Sequence, residues 1–282
     1  MASTNSISVE KLARLIGTSA CPALIDVRTA EDFAAAPHFI PSSVRRPWED
    51  VESWGDSFAG NSAVVICQKG KKISEGVAAW LRHKGVQAEI LEGGAVAWSD
   101  AALPMVPDAR LPPRDSNGRT VWVTRARPKV DRIACPWLIR RFVDPAAVFL
   151  FVAPNEVLEV ASRFGAAPFD IEADGVFWSH RGELCTFDVM VQELGLGTPP
   201  LERLATIVRG ADTARPDLAP EAPGLLAASL GLSRTFADDL AQLEAGMLLY
   251  DAFYRWCRDA TEETHNWPNN KPLPKAIREL SR

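Results

Sequence analysis

The sequence predicts an α/β protein with an N-terminal parallel sheet covered by helices and a C-terminal, mostly helical α+β domain. Strand-like apolar runs alternate with helical patterns before residue 103, a proline-rich stretch without an apolar period follows at 103–119, and helical patterns dominate beyond it. Such alternation is typical of parallel sheets, and 282 residues exceed the usual size of one domain. We therefore divide the chain into domain 1–107, linker 108–119, domain 120–267 and tail 268–282.

Each element of the first half has its own local signal. Short apolar runs bounded by turn-forming residues predict strands, and apolar residues spaced three or four apart predict helices. In chain order the signals predict a helix at 8–16, strands at 23–27 and 63–67, a helix at 73–84 and a strand at 88–91.

The second half begins with strands and continues mainly with helices. The same criteria predict strands at 120–124, 148–152 and 175–179, and helices at 155–164, 186–194, 201–209 and 237–258. Segregation of strands and helices of this kind fits the α+β class.

The stretch AVVICQKGKK at 63–72 brings one cysteine, Cys67, from a buried strand into a short loop that contains Gly70 and three lysines. The free amides and dipole of the following helix would face the sulfur and lower its pKa, and the lysines act in the same direction. Converging amides also bind small oxyanions. The alternative is that Cys67 is only a small buried apolar residue at the end of a strand. The lysines are Lys69, Lys71 and Lys72.

Three motifs in order resemble a rhodanese-like sulfurtransferase domain over about residues 5–107. They are LIDVR at 24–28, the loop at 67–72 and ILEGGAVAW at 90–98. The resemblance implies a three-layer fold and a persulfide on Cys67 as the carrier of sulfur. It also implies a substrate-binding set around that sulfur, consisting of Gln68, Lys69, Gly70, Lys71, Lys72 and Arg28.

Two departures from related patterns limit what the loop can do. A tyrosine phosphatase carries an arginine six positions after its cysteine, and Ile73 stands there, so phosphatase chemistry is disfavoured. Many rhodanese-like domains end the loop with arginine, whereas this chain has Lys72. Lysine supplies charge without the planar guanidinium, which leaves the choice of sulfur donor open.

A second resemblance covers about residues 120–267. The run TVWVTRARPKVDRIACPWLIRRFVDP, the segment 180–188, RGADT at 209–213 and LAPEAPGLLAASLGLS at 218–233 together resemble the chromate-resistance domain of the ChrB C-terminal type. Some members of that family are chromate-responsive regulators with an N-terminal DNA-binding part. A rhodanese-like domain occupies that end here, so the resemblance implies detoxification or thiol redox chemistry.

Two clusters in the second half are candidate binding sites. The cations Arg125, Arg127 and Arg132, with Lys129, crowd a strand-to-helix junction that would suit chromate, sulfate or phosphate. Alternatively, they pair with carboxylates at the surface.

The segment SHRGELCTFD supplies candidate ligands for zinc or iron, His180, Cys185 and Asp188 with Glu183 nearby. Residues Asp212, Asp251 or His265 are candidates to complete such a shell. The alternative is a hydrogen-bonding histidine beside a helix capped by Thr186 or Asp188.

Composition excludes several classes of function. A net charge of −5 gives no electrostatic basis for nucleic-acid binding. No apolar run reaches the ~18–20 residues of a membrane span, and the first residues lack the pattern of a secretion signal. Five cysteines without paired spacing indicate reduced thiols. We therefore expect a cytoplasmic protein without nucleic-acid or membrane partners.

The leading hypothesis is a sulfurtransferase in which Cys67 takes sulfane sulfur from a small anionic donor and passes it to a thiol or cyanide. This chemistry requires no cofactor. The alternative is a chromate- or metal-sensing protein with a non-catalytic rhodanese-like domain. Direct reduction of chromate by Cys67 ranks last, because it needs a source of electrons and the sequence has no glycine pattern typical of dinucleotide binding.

Overall fold

A computed structural model of the chain describes residues 5–263. The strands of its first half are β1 (Ser6–Ile7), β2 (Ala23–Asp26), β3 (His38–Phe39), β4 (Ser43–Arg45), β5 (Ser62–Ile66), β6 (Gln87–Leu91) and β7 (Val106–Pro107). Five of them form a parallel sheet in the order β1-β6-β5-β2-β4, and β3 pairs antiparallel with β7. The predicted parallel sheet is confirmed.

Helices cover both faces of this sheet. They are α1 (Val9–Leu15), α2 (Ala30–Ala35), α3 (Val51–Trp54), α4 (Lys72–His83) and α5 (Gly94–Asp100). Alternate residues of β5 enter different cores, Val64 with α1 and α5 on one face and Val65 with α3 and α4 on the other. This alternation follows from the two-residue period of a strand and produces three layers.

As far as residue 263, the second half contains a smaller parallel sheet and six α-helices. Its strands are β8 (Val121–Arg125), β9 (Val148–Val152) and β10 (Ala167–Pro168), in the order β10-β8-β9. Its helices are α6 (Asp131–Phe142), α7 (Val157–Phe164), α8 (Thr186–Glu193), α9 (Pro199–Asp212), α10 (Ala222–Thr235) and α11 (Asp239–Asp259).

One continuous apolar core joins the two halves. Leu12 and Trp98 of the first half belong to the same buried cluster as Trp137 and Tyr254 of the second. The contact is close at Gly17, where an added Cβ would lie 2.3 Å from the Phe142 ring. The halves therefore pack as a single body along this interface.

The predicted linker and the residues just before it are held against both halves of the chain by specific contacts. Just before residue 108, β7 pairs with β3, and the Trp98 indole donates to the Pro104 carbonyl at 3.0 Å. Arg114 reaches the buried Asp144 carboxylate of the second half at 3.3 Å.

The second half differs from the prediction in two places, one predicted strand that is absent and one helix that was not predicted. The predicted strand at 175–179 is interrupted by Gly175 at φ +80°, and only an isolated bridge from Phe169 to Trp178 marks the segment. Helix α10 was not predicted, because Pro223 and two glycines obscure its helical period, although proline is tolerated in a first helical turn. Among residues 5–263, no helix is long and apolar enough to span a bilayer.

Candidate functional site

Cys67 lies at the carboxyl end of β5, and α4 begins five residues later at Lys72. The short loop between them turns the chain so that the first amides of the helix face the sulfur. The cysteine side chain is enclosed, with 6% of the residue exposed. The predicted arrangement of strand, cysteine loop and helix is confirmed.

Three polar contacts surround the sulfur, and the longest of them, to the Lys71 carbonyl, is 3.7 Å. The backbone N–H of Lys71 donates to Cys67 Sγ at 3.3 Å, and the Ser74 hydroxyl lies 3.1 Å from Sγ. Ser74 also lies 2.9 Å from the Lys71 carbonyl, so its single proton can point either to that carbonyl or to the sulfur. Turning the proton toward the sulfur stabilises the thiolate.

The net electrostatic effect favours the thiolate. Burial by itself raises the pKa of Cys67, but hydrogen bonds from the Ser74 hydroxyl and from the amides of Lys71, Ser74 and Lys69 outweigh it and lower the pKa below the ordinary value. The lysine side chains are exposed to solvent and act at most through a screened field. The prediction from the sequence attributed part of the lowering of the Cys67 pKa to the lysine ammonium groups, and it did not include the Ser74 hydroxyl.

The loop is locked against the turn that precedes α5. Gly70 and Gly94 have φ of +64° and +63°, and a Cβ on Gly94 would lie 2.3 Å from the Cys67 carbonyl oxygen. That carbonyl accepts from the Ala95 amide at 3.0 Å. Glycine is required at this crossing, because another residue would be strained and would collide with the loop.

The remaining members of the predicted substrate-binding set are divided. Lys69, Lys71 and Lys72 border the loop with exposed side chains, and Gln68 lies next to the cysteine with its buried Oε1 free of any hydrogen-bond partner. They stay candidates for contact with a donor.

Arg28 has a structural role instead of the predicted substrate contact. Its guanidinium pairs with Asp26 at 2.6 Å and donates to the carbonyls of Ala36 and His38, and the residue is 4% exposed. All three guanidinium nitrogens donate within the fold, which leaves little hydrogen-bonding capacity for a substrate. This pair ties the end of β2 to the residue that follows α2 and to β3.

A second group of polar side chains lines an open cleft of 720 Å³ in the other half. His180 Nε2 lies 3.5 Å from Asp131 Oδ2, 3.4 Å from Asp170 Oδ1 and 3.3 Å from Asp212 Oδ2. The four ligand-type atoms lie within 4.8 Å of one another. We call these four residues the Asp–His cluster.

Each member of the Asp–His cluster is held by a different element. Asp131 opens α6, and its Oδ2 accepts the Thr186 amide of α8 at 2.6 Å. Asp170 follows β10 and accepts from the Thr186 hydroxyl at 3.1 Å, while Asp212 ends α9. The backbone is strained here, since the β-branched Val130 has φ +35° and Asp170 has φ +52°.

Burial and close hydrogen-bonding contacts perturb the pKa values within the cluster. The three carboxylates raise the pKa of His180 to about 12, against the effect of burial. Burial raises the pKa of Asp131 to about 7, and His180 counteracts this effect while Asp212 and Asp170 add to it. Ionisable groups with strongly perturbed pKa values in a cleft are typical of functional sites.

The predicted metal ligands do not come together as one set. His180 belongs to the Asp–His cluster, and so does Asp212, but Cys185 is fully buried and Asp188 pairs with Arg209 at 2.8 Å. Asp188 also accepts the Cys185 amide, which is the helix-capping alternative. Asp251 is paired with Arg141 elsewhere, and Glu183 is exposed beside Arg215. The predictions for His265 and for the tail at 268–282 fall outside the described residues.

The predicted anion-binding arginines are likewise divided. Arg125 and Arg132 flank the cleft, and both reach Asp170, at 3.2 and 3.3 Å. Arg127 points away, because it contacts Asp239 through its amide and the Phe236 and Ser233 carbonyls through its guanidinium. Sequence reasoning missed Asp131 and Asp170 as partners of His180, since no fixed spacing links positions so far apart.

Each half of the chain matches a different known family. Residues 8–101 match the family model of the rhodanese-like domain, and residues 122–257 match the model described as ChrB, C-terminal domain. Protein ChrB of Cupriavidus metallidurans is 33% identical over 146 residues, which are 51% of this chain and 43% of that protein. The chain therefore spans less than half the length of that curated relative.

Solved structures also resemble the first half. A rhodanese-like domain protein from Staphylococcus aureus is 28% identical, covering 34% of this chain and 91% of that one, with a TM-score of 0.31. A rhodanese-related protein from Thermoplasma volcanium is 24% identical, covering 36% and 97%, with a TM-score of 0.32. A probable thiosulfate sulfurtransferase is 26% identical, covering 36% and 48%, with a TM-score of 0.30.

Proposed function

Because the chain joins a rhodanese-like domain at residues 8–101 to a ChrB C-terminal domain at residues 122–257, we propose that it is a sulfurtransferase acting in chromate resistance. Sulfane sulfur is carried on Cys67. The proposal takes its main support from the hydrogen bonds of Ser74 and the Lys71 amide to one enclosed cysteine sulfur, which together lower its pKa.

The reaction has two steps and returns the enzyme to its starting state. The Cys67 thiolate attacks the outer sulfur of a donor such as thiosulfate, a new S–S bond forms, and sulfite leaves with the electron pair of the broken bond. An acceptor thiolate or cyanide then attacks the terminal sulfur of the persulfide and releases the Cys67 thiolate. No external oxidant, reductant or cofactor enters either step.

The loop residues have distinct roles in this scheme. The amides that lower the pKa of the Cys67 thiol also stabilise negative charge on the terminal sulfur of the persulfide. The exposed Lys69, Lys71 and Lys72 attract an anionic donor toward the loop. Gln68 lies next to the cysteine, and the NH2 group of its side-chain amide can donate a hydrogen bond to an anionic sulfur donor.

The test is thiocyanate formation from thiosulfate and cyanide by the full chain. The Cys67→Ser variant is expected to lose this activity, and intact-mass analysis of the wild type after thiosulfate treatment is expected to show an adduct of about 32 Da, one sulfur atom on the nucleophile. The control is Cys21→Ser, because burial raises the pKa of the Cys21 thiol to about 12 and makes it a poor nucleophile. Activity retained in Cys67→Ser would refute the proposal.

A second function, binding of an oxyanion such as chromate, is favoured by the cleft of the ChrB-type half. Arg125 Nε is buried there without a hydrogen-bond partner, and Lys129 and Arg132 line the same cleft. Calorimetric titration with chromate and sulfate checks this function. Binding should weaken in Arg125→Gln and stay unchanged in Cys67→Ser, and equal binding by both variants would refute it.

The proposed cellular site is the cytoplasm. All five cysteines are free in the structure, and free thiols persist in reducing compartments. Small anionic sulfur donors and thiol acceptors, the proposed partners, are the substrates that the loop chemistry requires.

A further inference from the structure

We propose that Asp131, Asp170, His180 and Asp212 bind one divalent transition-metal ion of the zinc type. This site is separate from the Cys67 loop and is independent of sulfur transfer. Imidazole nitrogen and carboxylate oxygen are both established zinc ligands. The set shares His180 and Asp212 with the candidate ligands predicted from the sequence, whereas Asp131 and Asp170 were not predicted.

The distances from the histidine nitrogen to the three carboxylate oxygens fit a common central ion, and all four atoms lie within 4.8 Å of one another. The three distances from His180 Nε2 to carboxylate oxygens are 3.3, 3.4 and 3.5 Å. Zinc binds nitrogen and oxygen at about 2.0–2.1 Å, so neighbouring ligand atoms of a tetrahedral site lie about 3.3–3.4 Å apart. An octahedral magnesium site with similar bond lengths would bring neighbouring ligands to about 3.0 Å.

Hydrogen bonding within the cluster does not account for this arrangement. Nε2 carries at most one proton, and that proton can point to only one of the three carboxylates. Three carboxylates around one nitrogen therefore leave two negative groups without a donor from the histidine. A metal ion attracts all three at once.

An independent observation concerns the second carboxylate oxygen of Asp131, which the distances from His180 do not involve. Asp131 is fully buried, and its Oδ1 has no hydrogen-bond partner, whereas its Oδ2 accepts the Thr186 amide. Burial of a carboxylate oxygen is costly unless it is paired or coordinates a metal. The cations of the cleft do not supply the pairing, because Arg125 and Arg132 both contact Asp170.

Surrounding groups orient the proposed ligands as an outer shell does in metal sites. The Thr186 amide and hydroxyl hold Asp131 and Asp170, and the amide of Asp131 donates to Asp212 Oδ1 at 3.4 Å. Outer-shell hydrogen bonds of this kind fix the direction of carboxylate ligands. The site is reachable from solvent, since the side chains of His180 and Asp212 are 33% and 20% exposed on the side of the cleft.

The experiment is titration of chelator-treated full-length protein with Zn²⁺ and Co²⁺. The wild type is expected to bind one equivalent through this site. Asp212→Asn and His180→Gln are expected to weaken zinc binding by more than about 100-fold, since even outer-shell changes cost about 10- to 100-fold. The matched control is Glu172→Gln, which removes an exposed carboxylate from the same cleft but outside the cluster, and its affinity should equal that of the wild type.

Cobalt separates this site from binding to cysteines. Nitrogen and oxygen ligands give visible d–d bands without the near-ultraviolet charge-transfer band of a thiolate ligand. The proposal is overturned if no stoichiometric ion binds, if the spectrum shows thiolate ligation, or if Glu172→Gln loses as much affinity as Asp212→Asn. Circular dichroism of the variants distinguishes loss of a ligand from loss of the fold.

Discussion

Replacing Ser74 with alanine should raise the pKa of Cys67 without disturbing the backbone amides that also contact the sulfur. The hydroxyl lies 3.1 Å from Sγ and is the largest of the groups that lower the pKa of this thiol. A hydrogen bond to a charged group contributes about 1.5–3 kcal/mol. At 1.36 kcal/mol per pKa unit this corresponds to a rise of about 1–2 units in Ser74→Ala.

The change is measurable by the pH dependence of alkylation of Cys67 with iodoacetamide, with peptide mapping of the modified cysteine. At a pH below both pKa values the thiolate fraction falls about tenfold for each unit by which the pKa rises. The nucleophilicity of each thiolate increases with a Brønsted slope of about 0.4–0.5, so the observed rate should fall about 3- to 16-fold.

The control for this prediction is Ser53→Ala, which removes an exposed serine hydroxyl bonded only to the Asp50 carbonyl of the same domain. Its Cys67 titration should match that of the wild type. If Ser74→Ala titrates with the wild-type pKa while circular dichroism shows an intact fold, the hydroxyl does not stabilise the thiolate and the electrostatic reasoning fails.

Two further predictions concern stability. Gly94→Ala should lower the free energy of unfolding by about 2–5 kcal/mol, because the new side chain is strained at positive φ and collides with the Cys67 carbonyl. The control Gly60→Ala, also at positive φ but with open space around it, should lose only about 1–2 kcal/mol. Equal losses of the two variants in urea denaturation would contradict the close contact at Gly94. The pKa of Cys67 is lowered in the folded state, so unfolding takes up a proton at pH values between the folded pKa and the unfolded value of about 8.5. The free energy of unfolding of the wild type relative to Cys67→Ser should therefore rise with pH across that window. Below the folded pKa this extra stability should be lost. A pH-independent difference would show that the thiolate is not favoured by folding.

Local sequence signals were sufficient for most of the fold. Strand β9 and the helices α4 and α8 begin and end within a residue of their predicted positions, because their apolar periods and their turn residues agree. Helix α10 was missed because tertiary burial of Leu225, rather than a clear period, stabilises it. The short strands β3 and β7 were missed as well, since two-residue strands form only where the fold brings them together.

The candidate sites show the same division between local and distant information. Cys67 and its loop were predictable, because a strand, a glycine and a helix follow one another within ten residues. The role of Arg28 was not, since only the fold shows that Asp26 and two carbonyls occupy its guanidinium. The Asp–His cluster draws on four separate segments, and their convergence depends on how α6, α8 and α9 pack.

The common apolar core has a consequence for cooperativity. Gly17 packs against the rings of Phe142 and Tyr254, so unfolding of either half would expose apolar surface of the other. Thermal denaturation should therefore show one transition and not two. The rhodanese-like half expressed alone would expose this apolar interface to solvent, and fusing it to an unrelated protein would require polar substitutions there.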